Sequence, residues 1–138
     1  MRIDVELHAD YAAVTQEGKL VIGGVFDLIA PPTLPWQHPT MTLVFRVRLS
    51  GDEAGTHSIT VRGIDPEGAE FIPSLTGELA AESVDFLDGM ATNFMLGING
   101  VRLEKAGHYH FDVYVDDRYE ETIAFAVKEP PDETPAAR

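Results

Sequence analysis

The chain contains no cysteine, which removes thiol nucleophiles, thiolate zinc sites and a disulfide framework together. It also lacks any apolar run near the ~20 residues that a membrane helix requires. From Arg2 onward the N-terminus alternates charged and apolar residues, where a signal peptide would need an unbroken apolar stretch, so a cytoplasmic location is expected. Bases are scarce, 10 Lys and Arg against 23 Asp and Glu, for a net charge of −13. A phosphate backbone demands clustered bases. Arg46, Arg48 and Arg62 are the only group expected to share a sheet face, so neither nucleic acid nor membrane is an expected partner. The acidity serves solubility through self-repulsion, or it steers the chain to a basic partner by imitating nucleic acid. No dense carboxylate stripe favours the second reading.

Catalytic signatures are missing too. There is no Gly-x-Ser-x-Gly elbow and no His-Glu-x-x-His helix, and the Gly18-Lys19 pair lacks a phosphate-loop glycine because Ala13 stands there. No cofactor is expected, and no catalytic or metal-binding residue is nominated.

What the chain does have is alternation. Its 138 residues suit one domain, which can bury roughly two thirds of its unfolded surface. Ile3, Val5 and Leu7 read as the apolar face of a first strand, and 20–28 as a second with Gly23-Gly24 marking a bulge or a close backbone approach. The segment 30–39, with Pro31, Pro32, Pro35 and Pro39, reads as a loop. Leu43, Phe45, Val47 and Leu49 line one strand face; Ile59 and Val61 carry the next strand to a turn at Asp65-Pro66-Glu67-Gly68. Residues 69–72 are expected to return as a short strand. Residues 74–89 fit helix, strand or loop. Phe94, Leu96 and Ile98 restore the alternation.

Tyr109, Phe111, Val113 and Val115, then Ile123, Phe125 and Val127, form a final hairpin around Asp116-Asp117. Leu103, Gly107 and Tyr109-x-Phe111 entering a long strand resemble the tyrosine corner of immunoglobulin-like domains, with Phe111 where antibody domains carry cysteine. The predicted fold is all-β, an immunoglobulin-like antiparallel β-sandwich of about eight strands with Greek-key connections; a closed barrel is the alternative. One domain is predicted over residues 1–128, followed by a disordered acidic, proline-rich tail over 129–138.

Few residues invite chemistry. His108 and His110 share a strand face at chelating spacing. A cupin pair would also need a glycine at Arg102 and a glutamate at Tyr114 or Val115. Solvent-facing histidines beside Asp112 are the simpler reading. The acidic clusters Asp65/Glu67/Glu70 and Asp116/Asp117/Glu120/Glu121 lack the spaced Asp-x-Asp form of calcium loops and read as charged turns. Asp10 and Tyr11 are expected just after the first strand; a catalytic pair is conceivable there, but with no substrate or second acid–base group nominated nearby the simpler reading bonds Asp10 to nearby backbone and packs Tyr11 at the sandwich end. Trp36, beside His38 in the proline-framed loop, suits either a recognition anchor or a plug at one end of the core. Tyr114 and Tyr119 are the aromatics placed to stack a sugar ring.

Ala9-Asp10-Tyr11-Ala12, Gly18-Lys19-Leu20-x-Ile22-x-Gly24-x-Phe26, His38-Pro39, Asp65-Pro66-x-Gly68 and Gly107-x-Tyr109-x-Phe111 together resemble an uncharacterised family of small bacterial proteins, a domain of unknown function. The likeness covers most of residues 3–127. It implies a bacterial, cytoplasmic, single-domain protein and brings no activity or site residues. The expected function is a non-enzymatic protein-interaction module. Its candidate binding residues are Trp36, His38, Tyr114 and Tyr119, its expected partner is another protein, and a homo-oligomer through a sheet edge is a further option. The alternatives are a small-ligand or carbohydrate-binding module, a metal-dependent enzyme using His108 and His110, and a self-assembling structural component.

Overall fold

A computed structural model describes residues 2–49, 51–53, 55–81 and 90–131. Among them are nine strands: β1 (Arg2–Val14), β2 (Leu20–Phe26), β3 (Leu28–Ile29), β4 (Trp36–Leu49), β5 (Gly55–Ile64), β6 (Leu75–Ala81), β7 (Met90–Leu103), β8 (Gly107–Val115) and β9 (Arg118–Val127). The only described helix is a turn of 3-10 helix at Gly51–Glu53, and among the described residues no helix is long and apolar enough to cross a membrane. The strands make two sheets, ordered β2-β1-β4-β7 and β3-β9-β8-β5-β6. All pairings are antiparallel except that of β3 with β9.

The core lies between the sheets where the alternation placed it. Leu43, Phe45, Val47 and Leu49 on β4 face Tyr109, Phe111, Val113 and Val115 on β8 and Ile123, Phe125 and Val127 on β9, all buried. Tyr109 reaches back to the connection before its own strand: its hydroxyl donates to the Lys105 carbonyl at 2.7 Å and accepts from the Lys105 N–H at 3.4 Å. The phenol thus pins the β7–β8 corner while its ring stacks on Phe125 at 5.2 Å.

The polar turn after β5 forms as its sequence requires. Gly68 takes φ +86°, and Asp65 Oδ1 accepts from the N–H groups of Glu67 and Ala69 at 2.8 and 2.9 Å. Its return is a single bridge, Ile64 to Glu70, rather than a strand. Phe71 and Ile72 instead fold over Gly63, where a β-carbon would meet both side chains at 2.8 Å. Phe71 then packs edge-on against Tyr109 at 5.0 Å. The ambiguous stretch resolves in part: Leu75–Ala81 is an edge strand on β5, and residues 82–89 lie outside the described ones, as does the tail over 132–138.

Three other expectations are corrected. The stretch 20–28 is two elements, because the chain leaves the first sheet after Phe26 and pairs Leu28 and Ile29 with β9 in the second. The proline segment is shorter than expected: Trp36 opens β4 and pairs with Leu103, and His38 pairs with Val101. Pro39 is accommodated within the strand, between His38 and Thr40, which pair with Val101 and Asn99 of β7. There Ile98 and Val101 are both buried although three apart, so the face alternation slips beside Gly100, which has φ +66°. Arg46 and Arg48 lie on β4 and Arg62 on β5, in different sheets, so they share no face.

Candidate binding site

The largest departure is in β1. Asp10 and Tyr11 lie inside it, since it runs to Val14. Ile3 pairs with Val47, yet Val5 pairs with Arg46, so one extra residue is inserted between them. A bulge of this kind sends every later side chain to the opposite face. Ile3 therefore packs on the core, whereas Val5 and Leu7 do not. Beyond the bulge, Glu6 stands opposite Phe45 and His8 opposite Leu43, both partners being core residues. The register of the strand is reversed: His8 is buried on the core side, Glu6 and Asp10 on that side stay exposed, and Val5, Leu7, Ala9 and Tyr11 point the other way.

The outward side chains merge into a band across the four-stranded sheet. Its cross-strand pairs are Val21 with Ala13, Gly23 with Tyr11, Val25 with Ala9, Leu7 with Val44, and Val44 with Met95. Tyr11 is 55% exposed and Val25 60% exposed, and Val21 and Met95 are exposed too. Gly23 is required because Tyr11 lays its ring where a side chain would project. Gly24 at φ +71° lets the backbone pass against the Asp10 carboxylate in the same way.

Two clefts flank this strand. The first, about 340 Å³, is lined by Asp10, Gly24, Phe26, Ile29, Pro31, Trp36 and His38 among others. Here Trp36 Nε1–H donates to His38 Nδ1 at 3.3 Å, which leaves the other ring nitrogen of a neutral His38 to carry the proton. Burial lowers the His38 pKa, with the Asp10 charge pulling against it. Trp36 is half-buried and packs on the core, so one ring both closes the end of the sandwich and walls the cleft.

The second cleft, about 270 Å³, is lined by Glu6, Leu7, His8, Val25, Phe26, Asp27, Ile123 and Ala124. β2 ends level with His8, so the beginning of β1 borders β9 directly. Glu6 is exposed, and its pKa is raised by burial first, then by the charge and hydrogen bonding of Glu121 on β9. His8 is 2% exposed and its ring lies 5.7, 5.7 and 5.2 Å from those of Phe26, Phe111 and Phe125. Its Nε2 has no hydrogen-bond partner. Burial drives the His8 pKa down to about 4, against a smaller opposite pull from Asp27, so the ring is neutral at physiological pH.

The remaining nominated residues sit on the other sheet. Tyr114 and Tyr119 meet edge-to-face at 6.0 Å on its outer surface, apart from Trp36 and His38. Thr122 donates to Asp112 at 2.7 Å, so Tyr119 is the donor in its 2.6 Å bond to Thr122. His108 is exposed; His110 lies 3.6 Å from Asp112. Among the described residues no three His, Asp or Glu side chains are grouped to hold a metal. The acidic turns have structural partners: Glu70 pairs with Arg62 and Glu67 with Lys105, both at 2.9 Å, and Asp116 with His57 at 2.7 Å. Glu6, His8, Tyr11 and Val25 were not nominated by sequence. The one signal available was the Gly23-Gly24 pair opposite Asp10 and Tyr11.

These features define a two-sheet all-β protein with exposed apolar side chains on one outer face and two clefts beside one inverted strand. Residues 4–128 match the model of a family of unknown function, DUF6941, and the chain belongs to that family. No curated protein matches it. Among solved structures it is similar to Pseudomonas fluorescens alkylpurine DNA glycosylase AlkC bound to DNA containing an abasic site analog, at 13% identity with a TM-score of 0.44. That likeness covers 74% of this chain and 27% of the glycosylase chain.

Proposed function

We propose that the protein is a non-enzymatic, immunoglobulin-like interaction module of the bacterial cytoplasm that binds another protein on the outer face of β2-β1-β4-β7. The observation that carries this reading is the exposure of Tyr11, Val21 and Val25 on β1 and β2 and of Met95 on β7, on one outer face whose Ala9 and Val44 are covered. Exposed apolar side chains gathered on one face of a folded domain mark an interaction site, and tyrosine and methionine are side chains that such sites favour. By contrast, the outer face of β8 and β9 carries the Tyr119–Thr122–Asp112 hydrogen-bond chain. Trp36 and His38 wall the cleft beside Val25 and extend the surface.

The immunoglobulin-like assignment with Greek-key connections is supported by the sheet orders, by β3 running parallel to the last strand, and by the tyrosine bonded back to the corner before its own strand. The absence of cysteine is in keeping with a reducing compartment.

The test is capture with wild-type protein and with Val25→Lys or Met95→Lys. Both positions are exposed, so the thermal midpoint is expected to hold while a protein retained by wild type is lost. Equal recovery by the variants refutes the assignment of this face. A second copy of the chain is also a candidate partner, because β7 is a 14-residue strand paired only with β4 among the described residues; light scattering of wild type reads that directly.

A further inference from the structure

We propose that the cleft between the β1–β2 hairpin and the start of β4 binds a carboxamide, Asp10 accepting from its N–H and Nε2 of His38 donating to its carbonyl oxygen. The cleft opens where the first sheet forks. β1 and β4 pair only as far as Ala9 and Thr42. Beyond that point, among the described residues, β1 runs on to Val14 with β2 alone, and β4 reaches back to Trp36 with β7 alone. Asp10 and Gly24 line the cleft from one arm of the fork, and Trp36 and His38 from the other. The chain leaving β3 adds Ile29 and Pro31 to the wall.

Two side chains with free polar atoms share this cleft. The Trp36 indole N–H can only donate, so its 3.3 Å bond to His38 Nδ1 places the proton of the neutral ring on Nε2. Burial lowers the His38 pKa and favours that neutral ring, against the pull of the Asp10 charge. Among the described residues the one buried side-chain nitrogen or oxygen without a partner is Nε2 of His8. Nε2 of His38 has no partner either, so it is open to solvent as a fixed donor. Asp10 is exposed and makes no hydrogen bond or ion pair among the described residues. Gly24 makes room for its carboxylate, which a β-carbon at that position would strike. Asp10 and His38 thus wall one cleft without bonding to each other, and a single group can bridge them.

The free donor and the free acceptor select that group. A cation leaves the Nε2–H without an acceptor, and an anion meets Asp10 and a chain of net charge −13. A neutral group that both donates and accepts satisfies the pair, and a carboxamide does so with its N–H and C=O on one carbon. Phe26, Ile29 and Pro31 suit the methylene stem behind it. The volume, about 340 Å³, is at the lower end of the roughly 300–1,000 Å³ of ordinary ligand pockets, room for one side chain. Val25, 60% exposed, belongs both to this wall and to the outer face of the sheet, so the two surfaces are continuous. The carboxamide is therefore that of an Asn or Gln side chain of the protein bound on that face. This source, and not the recognition of the amide, rests on the proposed function.

Propionamide, which reproduces a glutamine side chain, is the probe, titrated into the full chain with the indole N–H signal of Trp36, the only tryptophan, as readout. It is expected to move that signal to saturation, while propylammonium and propionate leave it in place. A hydrogen bond to a charged acceptor carries about tenfold or more in affinity, so Asp10→Ala should weaken propionamide binding by that factor. Its thermal midpoint should hold, because Asp10 is exposed and unpartnered, and the protein captured by wild type should be lost. An indole signal that propionamide does not move, an equal response to propylammonium, or undiminished binding by Asp10→Ala overturns the site. Loss of propionamide binding with capture intact overturns the partner as the source of the amide. The titration involves no partner, so failure of the Val25 and Met95 test leaves its result standing.

Discussion

Replacing His8 with phenylalanine should stabilise the protein, and more so in acid than at neutral pH. The imidazole lies within 5.7 Å of three phenylalanine rings with Nε2 unpaired. Removing an unsatisfied buried polar atom returns about 1–3 kcal/mol, part of which the slightly larger phenyl ring offsets through tighter packing. A net gain of about 1 kcal/mol at pH 7.5 is the expectation.

The acid effect comes from proton linkage. In the unfolded chain His8 titrates near 6.5, and in the folded one at about 4. Between these values the unfolded state binds the proton and the folded state does not, so stability falls as pH drops through that window and levels off below it. The full difference is about 3 kcal/mol, and about 2.5 kcal/mol of it is spent by pH 4.5. Glu6 acts with the opposite sign: its raised pKa lets the folded state take up a proton first, so that acidification favours folding. Comparing variant with wild type at each pH removes that contribution to first order, because Glu6 is present in both.

Urea unfolding at pH 7.5 and pH 4.5 is the assay. The advantage of the variant should grow from about 1 to about 3.5 kcal/mol, a widening of roughly 1–2 M in midpoint at the usual urea slope. A gap that is the same at both pH values would refute the buried, neutral imidazole. A variant less stable than wild type at pH 7.5 would refute the unpaired nitrogen.

Two further outcomes test the frame around the site. Tyr109→Phe removes both bonds to Lys105 while keeping the ring, and should cost about 1 kcal/mol or about 3–5 °C in thermal midpoint for a chain of this size; an unchanged midpoint would show the corner is held by packing alone. Asp116→Asn should lower the His57 titration midpoint read by NMR, because the 2.7 Å bond from Asp116 is the main cause of its raised pKa, ahead of the Glu53 carbonyl. The charged His57 pairing supports folding below the unfolded histidine pKa and fades as pH rises through the folded one. A midpoint that does not move would assign the shift elsewhere.

The strands β4, β8 and β9 were legible because one face of each carries an unbroken apolar series while the other is mostly polar. In Leu43-x-Phe45-x-Val47-x-Leu49 the alternation has one solution, and it is the one observed. Tyr109 was legible for a different reason: a ring and a hydroxyl two places after a glycine have one efficient use at a sandwich corner. Trp36 and His38 stood out as uncommon side chains among prolines, and the structure brings them together. The start of β4 was not legible, since Pro39 normally argues against a strand and only its pairing with β7 makes room for it. Residues 69–72 looked like a returning strand because the turn before them was well formed. Their tertiary use is to cap Gly63 and Tyr109, and no local pattern encodes that.

The site itself was hidden by the same regularity that exposed the core. Ile3, Val5 and Leu7 alternate with polar residues, and the rule that the apolar set faces inward placed Glu6 and His8 in solvent. One inserted residue between Ile3 and Val5 reverses that outcome without changing the alternation, so period-two reasoning is blind to it. Both consequences of the reversal are unfavourable to folding alone: apolar side chains such as Tyr11 are left in water, and the His8 imidazole is drawn into the core. Straightening the strand would remove both costs, which for His8 alone come to about 1–3 kcal/mol in a protein whose whole stability is roughly 5–15 kcal/mol. The core built by β4, β8 and β9 tolerates the inversion. Only a partner on the outer surface it creates would turn it into a gain.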